Sequence, residues 1–248
     1  MTPTRYSGVL KIVRFNWPWY IGVLAATVTG IFLLNLRAIH SRWAVLVVAG
    51  LLVADLWLLV SLAVSHYIYD RSLVSRARWL DRVDSTSVRR AAIFHAGQDE
   101  ASEAVVRALR NAEIHTFDFY DPARNGTASL KRARALAKRH DAAIASDNIP
   151  LKNGTLDLAL VVFAAHEIRQ DMQRAAFFRE LARALAPGGR VVIVEHVRDV
   201  WNFLAYGPGA FHFLSRQTWS RSFAKGGLQL LRETSCTLFV RVFVLKKP

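Results

Sequence analysis

Cysteine is nearly absent from this chain. Cys236 stands alone, so no intramolecular disulfide framework exists and the fold rests on its core. Acidic residues are scarce, 19 against 33 Lys and Arg, for a net charge of +14. A basic balance of this size suits either nucleic acid or an anionic membrane surface. No nucleic-acid recognition motif accompanies it, so a nucleic-acid partner is not expected. Internal repeats and low-complexity tracts are missing, which excludes solenoids and disordered tails. His95, His115, His166 and His196 show no paired metal-ligand spacing, so no metal site is expected.

Charge is also missing from two long runs near the start. Residues 18–36, PWYIGVLAATVTGIFLLNL, carry none, and residues 43–65 carry only Asp55. Each has the ~20 residues that cross a bilayer core, and two in tandem do not fit a signal peptide. Trp17, Trp19, Tyr20 and Trp43 mark the span ends. Arg5, Lys11 and Arg14 precede the first run, and Arg71, Arg76, Arg78, Arg82, Arg89 and Arg90 come after the second. The loop between holds Arg37 and Arg42 only. The expectation is a two-pass hairpin in the inner (cytoplasmic) membrane, with both termini and the whole C-terminal part on the cytoplasmic side. Juxtamembrane arginines near anionic lipid gain about 1 kcal/mol each. Asp55 has three readings: a hydrogen bond across the hairpin near Thr27, a contact to a partner's membrane helix, or a proton path. Residues 1–69 thus form the anchor. Residues 70–90 read as a basic amphipathic linker, an interfacial helix or the first helix of the C-terminal domain, with Leu73, Val74, Trp79 and Leu80 as its apolar members.

From 91 to 248 strand-like and helix-like stretches alternate. Apolar runs fall at 91–96, 114–120, 142–145, 156–163, 191–197 and 237–246. Helical patterns fall at 100–111, 128–139, 170–185 and 216–227, the third stopping at Pro187-Gly188-Gly189. This alternation specifies an α/β domain with a doubly wound, mostly parallel sheet, and the last run could insert antiparallel at the edge.

Three later stretches carry a family resemblance: LKNGTLDLALVVFAAHEI, FFRELARALAPGGRVVIVEH and SFAKGGLQLLRE. With Pro150, Asp157 and Leu185–Gly189 in order, residues 88–248 resemble class I S-adenosylmethionine-dependent methyltransferases of the type 11 kind. The resemblance implies a Rossmann-like fold and a cofactor loop after the first strand, where the family carries an acidic residue followed by three spaced glycines. Here the loop is glycine-poor: His95, Gly97, Asp99 and Ala101 occupy those places. Asp118 matches the acidic residue that holds the ribose, with Asp121 nearby; it also reads as a solvated strand end. The adenine-reading position falls on Ala145, and Asp147 serves only if its loop shifts. Glu167 comes directly after His166, past the fourth strand. His166 reads either as a general base for an acceptor hydroxyl or as a polar residue at an idle cleft. Residues 201–214 are apolar, aromatic and broken by Gly207-Pro208-Gly209: a substrate lid, or a docking surface for lipid or protein.

The damaged loop weights the reading toward a non-catalytic structural or assembly subunit of a membrane complex, such as a respiratory or photosynthetic one, with no cofactor and a membrane-protein partner on the hairpin. The alternative is an active methyltransferase using S-adenosylmethionine on a quinone, lipid, carotenoid or tetrapyrrole. A third is a module that senses the cofactor without turning it over.

Overall fold

The computed structural model describes residues 6–36, 40–72, 74, 76–83, 87–97, 99, 101–124, 127–135 and 141–248. Arg5, Arg37, Leu73, Gln98 and Glu100 lie outside the described residues.

Two long helices open the chain, α1 (Ser7–Asn35) and α2 (Ser41–His66). At 1.5 Å per residue each is about 40 Å long, more than a bilayer core needs. Their most apolar windows have mean hydropathy 1.6 and 2.5, with only 6% and 0% of those residues buried. Leu46, Leu52, Leu56 and Leu59 all stay more than 60% exposed. A soluble hairpin would bury such residues, so length, composition and exposure all fit a bilayer. Gly30 lets the helices close up, since a Cβ there would lie 2.5 Å from Leu51 Cδ1. The Asp55 carboxylate accepts a hydrogen bond from Thr27 Oγ1 at 3.1 Å. This is the bond across the hairpin that the first of its three readings expects.

The α/β domain is a seven-stranded sheet in the order β3-β2-β1-β4-β5-β7-β6. Its strands are β1 (Arg90–His95), β2 (Glu113–Asp118), β3 (Ala142–Ala143), β4 (Leu156–Val162), β5 (Leu185–His196), β6 (Gln229–Ser235) and β7 (Val240–Lys246). The first five run parallel; β7 is antiparallel to both β5 and β6. The helices are α3 (Ser102–Ala108), α4 (Ala128–Ala135), α5 (Asp171–Ala184), α6 (Val200–Tyr206) and α7 (Arg216–Lys225). Side chains alternate across the sheet as strand geometry requires. Ala92, Phe94, Val161 and Ile193 face Phe177, Phe178 and Phe223 of α5 and α7, while Ile93, Leu160 and Val194 face Val105 of α3.

Three expectations are corrected. The last strand is not at the edge, because β6 pairs outside it. Most of β6 is solvent-exposed, so no apolar run announces it. Pro187-Gly188-Gly189 does not come directly after the helix: α5 ends at Ala184, Leu185 already pairs with Leu156, and the motif bulges out before Arg190 pairs with Leu158. The basic linker does not rest its apolar face on lipid. Trp79 and Leu80 are buried and join Ile68 and Val83 in the core against α3.

Hairpin and domain are fastened together. Asp70 accepts backbone hydrogen bonds from Gly8 (2.6 Å) and Val9 (2.9 Å), capping the positive end of α1. Arg132 of α4 donates to the Phe15 carbonyl, and Trp57 Nε1 of α2 donates to the Leu204 carbonyl of α6. Where α7 ends against α5, a Cβ on Gly226 would sit 2.2 Å from Phe178 Cβ. Gly226→Ala is therefore expected to destabilise the domain by at least ~1–3 kcal/mol, read as a lower denaturant midpoint. An unchanged midpoint would show that α7 shifts freely.

Candidate functional site

Ligands of open parallel sheets bind beyond the carboxyl ends of the strands, and two polar clusters lie there. The first sits at β1 and β2. Gly97 has φ +79°, a conformation that favours glycine, and its N–H donates to Asp118 Oδ1 at 2.7 Å. Tyr120 N–H donates to the same oxygen, and Arg134 of α4 binds Asp118 Oδ2. The guanidinium also lies 4.7 Å from the Tyr120 ring centre, so it bridges the two. Asp99 Oδ1 accepts from Ala101 N–H (3.1 Å) and Ser102 N–H (2.9 Å), capping α3. Those amides are the ones a ligand's carboxylate would use at a helix start. His95 Nε2 pairs with Asp141 at 3.1 Å.

This cluster brings together His95, Gly97, Asp99 and Asp118. It does not include Asp147, which is exposed and pairs with Arg124, as Asp121 does. Arg134 is the residue sequence reading missed, since a basic residue on a helix carries no signal of its own.

The second cluster lies at β4 and β5. Phe163 closes β4 at φ +50°, strained for an aromatic residue, and a 3₁₀ turn, Ala165–Glu167, comes next. The turn presents His166 to Glu195, a carboxylate buried within β5. His166 Nδ1 lies 2.8 Å from Glu195 Oε2, and the His166 backbone N–H donates to Oε1. On the other side His166 Nε2 lies 3.4 Å from Glu167 Oε1, which is 3.5 Å from His212 Nε2. Arg169 donates to the His212 carbonyl at 2.7 Å and also touches its ring. Glu167 Oε2 is buried without a partner among the described residues.

Burial alone would strip the proton from His166, but Glu195 and Glu167 reverse that and lift its pKa to about 10. Burial would likewise raise the Glu167 carboxyl, yet hydrogen bonds from His166 and His212 hold it well below the usual range. Burial lowers His212. At neutral pH the cluster is an imidazolium between two carboxylates, with Arg169 balancing the charge. His196 is different: burial and the His166 charge push it down to about 4. It is a neutral ring stacked between Phe163 (4.9 Å) and Phe213 (4.6 Å), with Tyr69 and the Phe239 carbonyl on its nitrogens. It is a structural pillar joining the end of the N-terminal segment at Tyr69, β5 and the aromatic segment.

That segment is α6 and a 3₁₀ turn, Gly207–His212, roofing the second cluster. Trp57 of α2 packs edge-on to Phe203 and lies against Gly207. Val200, Leu204 and Phe211 remain more than half exposed beside the hairpin. Sequence reading missed Glu195, Arg169 and His212. Glu195 left a signal, a lone carboxylate inside the apolar run VVIVEHV; His212 was hidden by its 46-residue separation from His166 (212 − 166).

The cofactor that the resemblance implies can be tested against the first cluster. Gly97 and Asp118 suit the nucleoside, and two buried atoms flanking the loop, His95 Nδ1 and Ser102 Oγ, have no hydrogen-bond partner among the described residues. Against this, Arg134 holds Asp118 and Asp99 holds the α3 amides. The residues present therefore fit S-adenosylmethionine once Arg134 turns away from Asp118 and Asp99 releases the α3 amides.

A family described as "Methyltransferase domain" matches residues 96–193. No curated protein matches the chain. Among solved structures, a SAM-dependent methyltransferase from Aquifex aeolicus is 14% identical, with a TM-score of 0.51 over 68% of this chain and 88% of that one. The mitomycin 7-O-methyltransferase is 16% identical, with a TM-score of 0.58 over 100% of this chain and 74% of its own. A protein titled a [4+2]-cyclase is 14% identical, with a TM-score of 0.50 over 70% and 79%. At such identities the likeness is one of fold, and the fold alone does not name the reaction.

Proposed function

We propose that this chain, whose α/β domain has the class I methyltransferase fold, is a membrane-anchored methyltransferase taking a lipophilic acceptor with an acidic hydroxyl, a phenol or enol, from the bilayer. The observation that carries this reading is the buried His166–Glu195 pair at the ends of β4 and β5, beneath an aromatic segment docked on α2. A buried ion pair is costly to keep for stability alone. Trp57 lies nine residues before the end of α2 (66 − 57), about 14 Å along the helix. With α2 spanning the membrane, α6 lies at acyl-chain depth, so an acceptor dissolved in the bilayer reaches the cluster without crossing water.

Glu195 holds the His166 ring in one orientation. Protonated at neutral pH, the imidazolium donates from Nε2 to the acceptor oxygen. The hydroxyl proton passes to Glu167 Oε2, buried and partnerless among the described residues, as the methyl group is transferred. Glu167 thus takes the base role that one of the two sequence readings gave His166. Phe213, edge-on to both His166 and His212, shields the cluster from water. S-adenosylmethionine, held by Gly97 and Asp118, supplies the methyl group when bound. A second reading, a fold retained as a subunit of a membrane complex, is favoured by one observation: Asp99 and Arg134 occupy the cofactor's polar contacts.

The test is full-length protein in liposomes, supplied with methyl-labelled S-adenosylmethionine and a lipid extract or a lipophilic phenol. Transfer of label into the organic phase, lowered at least ~100-fold by His166→Gln, is the expected result. No transfer to any acceptor would leave the retained-fold reading.

A further inference from the structure

His166, Glu167 and His212 supply two imidazole nitrogens and a carboxylate oxygen that all lie within 4.8 Å of one another. The sequence shows no metal-ligand spacing because two ligands come from the turn after β4 and the third from the 3₁₀ turn after α6. We infer that these three side chains form a binding site for one divalent transition-metal ion, with Zn²⁺ chemistry and a fourth position open to an exogenous oxygen.

Four observations carry this. The two measured edges, His166 Nε2 to Glu167 Oε1 at 3.4 Å and His212 Nε2 to Glu167 Oε1 at 3.5 Å, match a tetrahedral zinc site. Ligands about 2.1 Å from a common centre stand about 3.4 Å apart. Glu167 Oε2 is buried and partnerless among the described residues, on a residue only 8% exposed. A native protein rarely leaves a carboxylate oxygen so placed unless something visits it. Glu195 on His166 Nδ1 is the outer carboxylate that orients a metal-binding histidine and fixes which nitrogen faces the ion. Finally, two imidazoles and one carboxylate form a donor set suited to zinc, cobalt, iron or manganese rather than magnesium or calcium.

Arg169 is the one group among the described residues that opposes a cation, with Nη2 2.8 Å from His212 Nε2. Its Nη1 has the His212 carbonyl as an anchor, so the guanidinium can leave the ring and keep that bond. The entering ion takes the place of the proton on His166 Nε2 and leaves the cluster one positive charge richer, which an anionic oxygen ligand in the open fourth position balances. The inference goes beyond the methyl-transfer reading and does not depend on it: proton and ion are alternatives at His166 Nε2, and in the loaded site the ion rather than the proton faces the acceptor oxygen.

The experiment uses full-length protein in detergent, stripped with chelator, dialysed, and titrated with ZnCl₂ or CoCl₂ alone. One equivalent per chain is expected to bind, and Co²⁺ to show the visible absorption of a four- or five-coordinate nitrogen–oxygen site. Glu167→Gln and His212→Ala should each weaken Zn²⁺ binding at least ~100-fold. His115→Ala, at an exposed histidine paired with Glu113, should change nothing. Arg169→Gln should tighten binding several-fold. Failure of the intact protein to bind saturably, or binding that ignores Glu167→Gln and His212→Ala in folded variants, overturns the inference.

Discussion

Replacing Glu195 with glutamine is expected to lower the stability of metal-free protein by about 3–5 kcal/mol at pH 7, because it leaves a buried imidazolium with half its counter-charge. Glu195 is fully buried and holds both the ring and the backbone N–H of His166. The effect has a pH signature. His166 titrates at 6.5 in the unfolded chain and at about 10 in the folded one. Its contribution is therefore complete below about pH 6.5, declines as pH rises, and is gone above about pH 10. The intact protein should lose melting temperature steadily across that window. The Glu195→Gln protein should start lower and change little, so the two curves converge near pH 10. Curves that stay parallel would mean that Glu195 does not hold the His166 proton.

Arg134→Ala is expected to tighten S-adenosylmethionine binding at least ten-fold while destabilising the unliganded protein by about 1–3 kcal/mol. The two effects have one origin. Asp118 is buried and spends one oxygen on Arg134 and the other on the Gly97 and Tyr120 amides. Removing the guanidinium costs the carboxylate its charge partner but frees an oxygen for ribose hydroxyls. Ten-fold is about 1.4 kcal/mol, a modest demand for a ligand that no longer displaces an ion pair. Arg134→Lys should fall between the two, since an ammonium keeps the charge without the planar contact to Tyr120. Equal or weaker binding by Arg134→Ala would show that Arg134 is not what closes the site.

The architecture was legible because its signals are periodic and local. Runs of ~20 residues with no charge but Asp55 marked the hairpin, and strand-length apolar runs marked the central sheet. The hidden parts are those that periodicity does not encode. β6 is an edge strand with a polar surface, so it shows no alternation. The linker read equally as a lipid-facing helix or as part of the domain because Trp79 and Leu80 lie among arginines, and only the tertiary structure puts them beneath α3. At the candidate site, His166, Glu167, Gly97 and Asp118 were visible from their places after strands. Glu195, His212 and Arg134 were not, because each acts through a partner at least 16 residues away in the chain. The depleted loop at 95–101 weighted the reading toward a retired enzyme. The buried pair at β4 and β5, where an acceptor would arrive, shifts the weight toward chemistry.

Whether the chain binds S-adenosylmethionine is decided by calorimetric titration of the purified full-length protein with it. Saturable binding to the intact chain with a micromolar Kd, tightened in Arg134→Ala, is the expected result. Silence at millimolar cofactor in both proteins would contradict it and leave the fold as a scaffold.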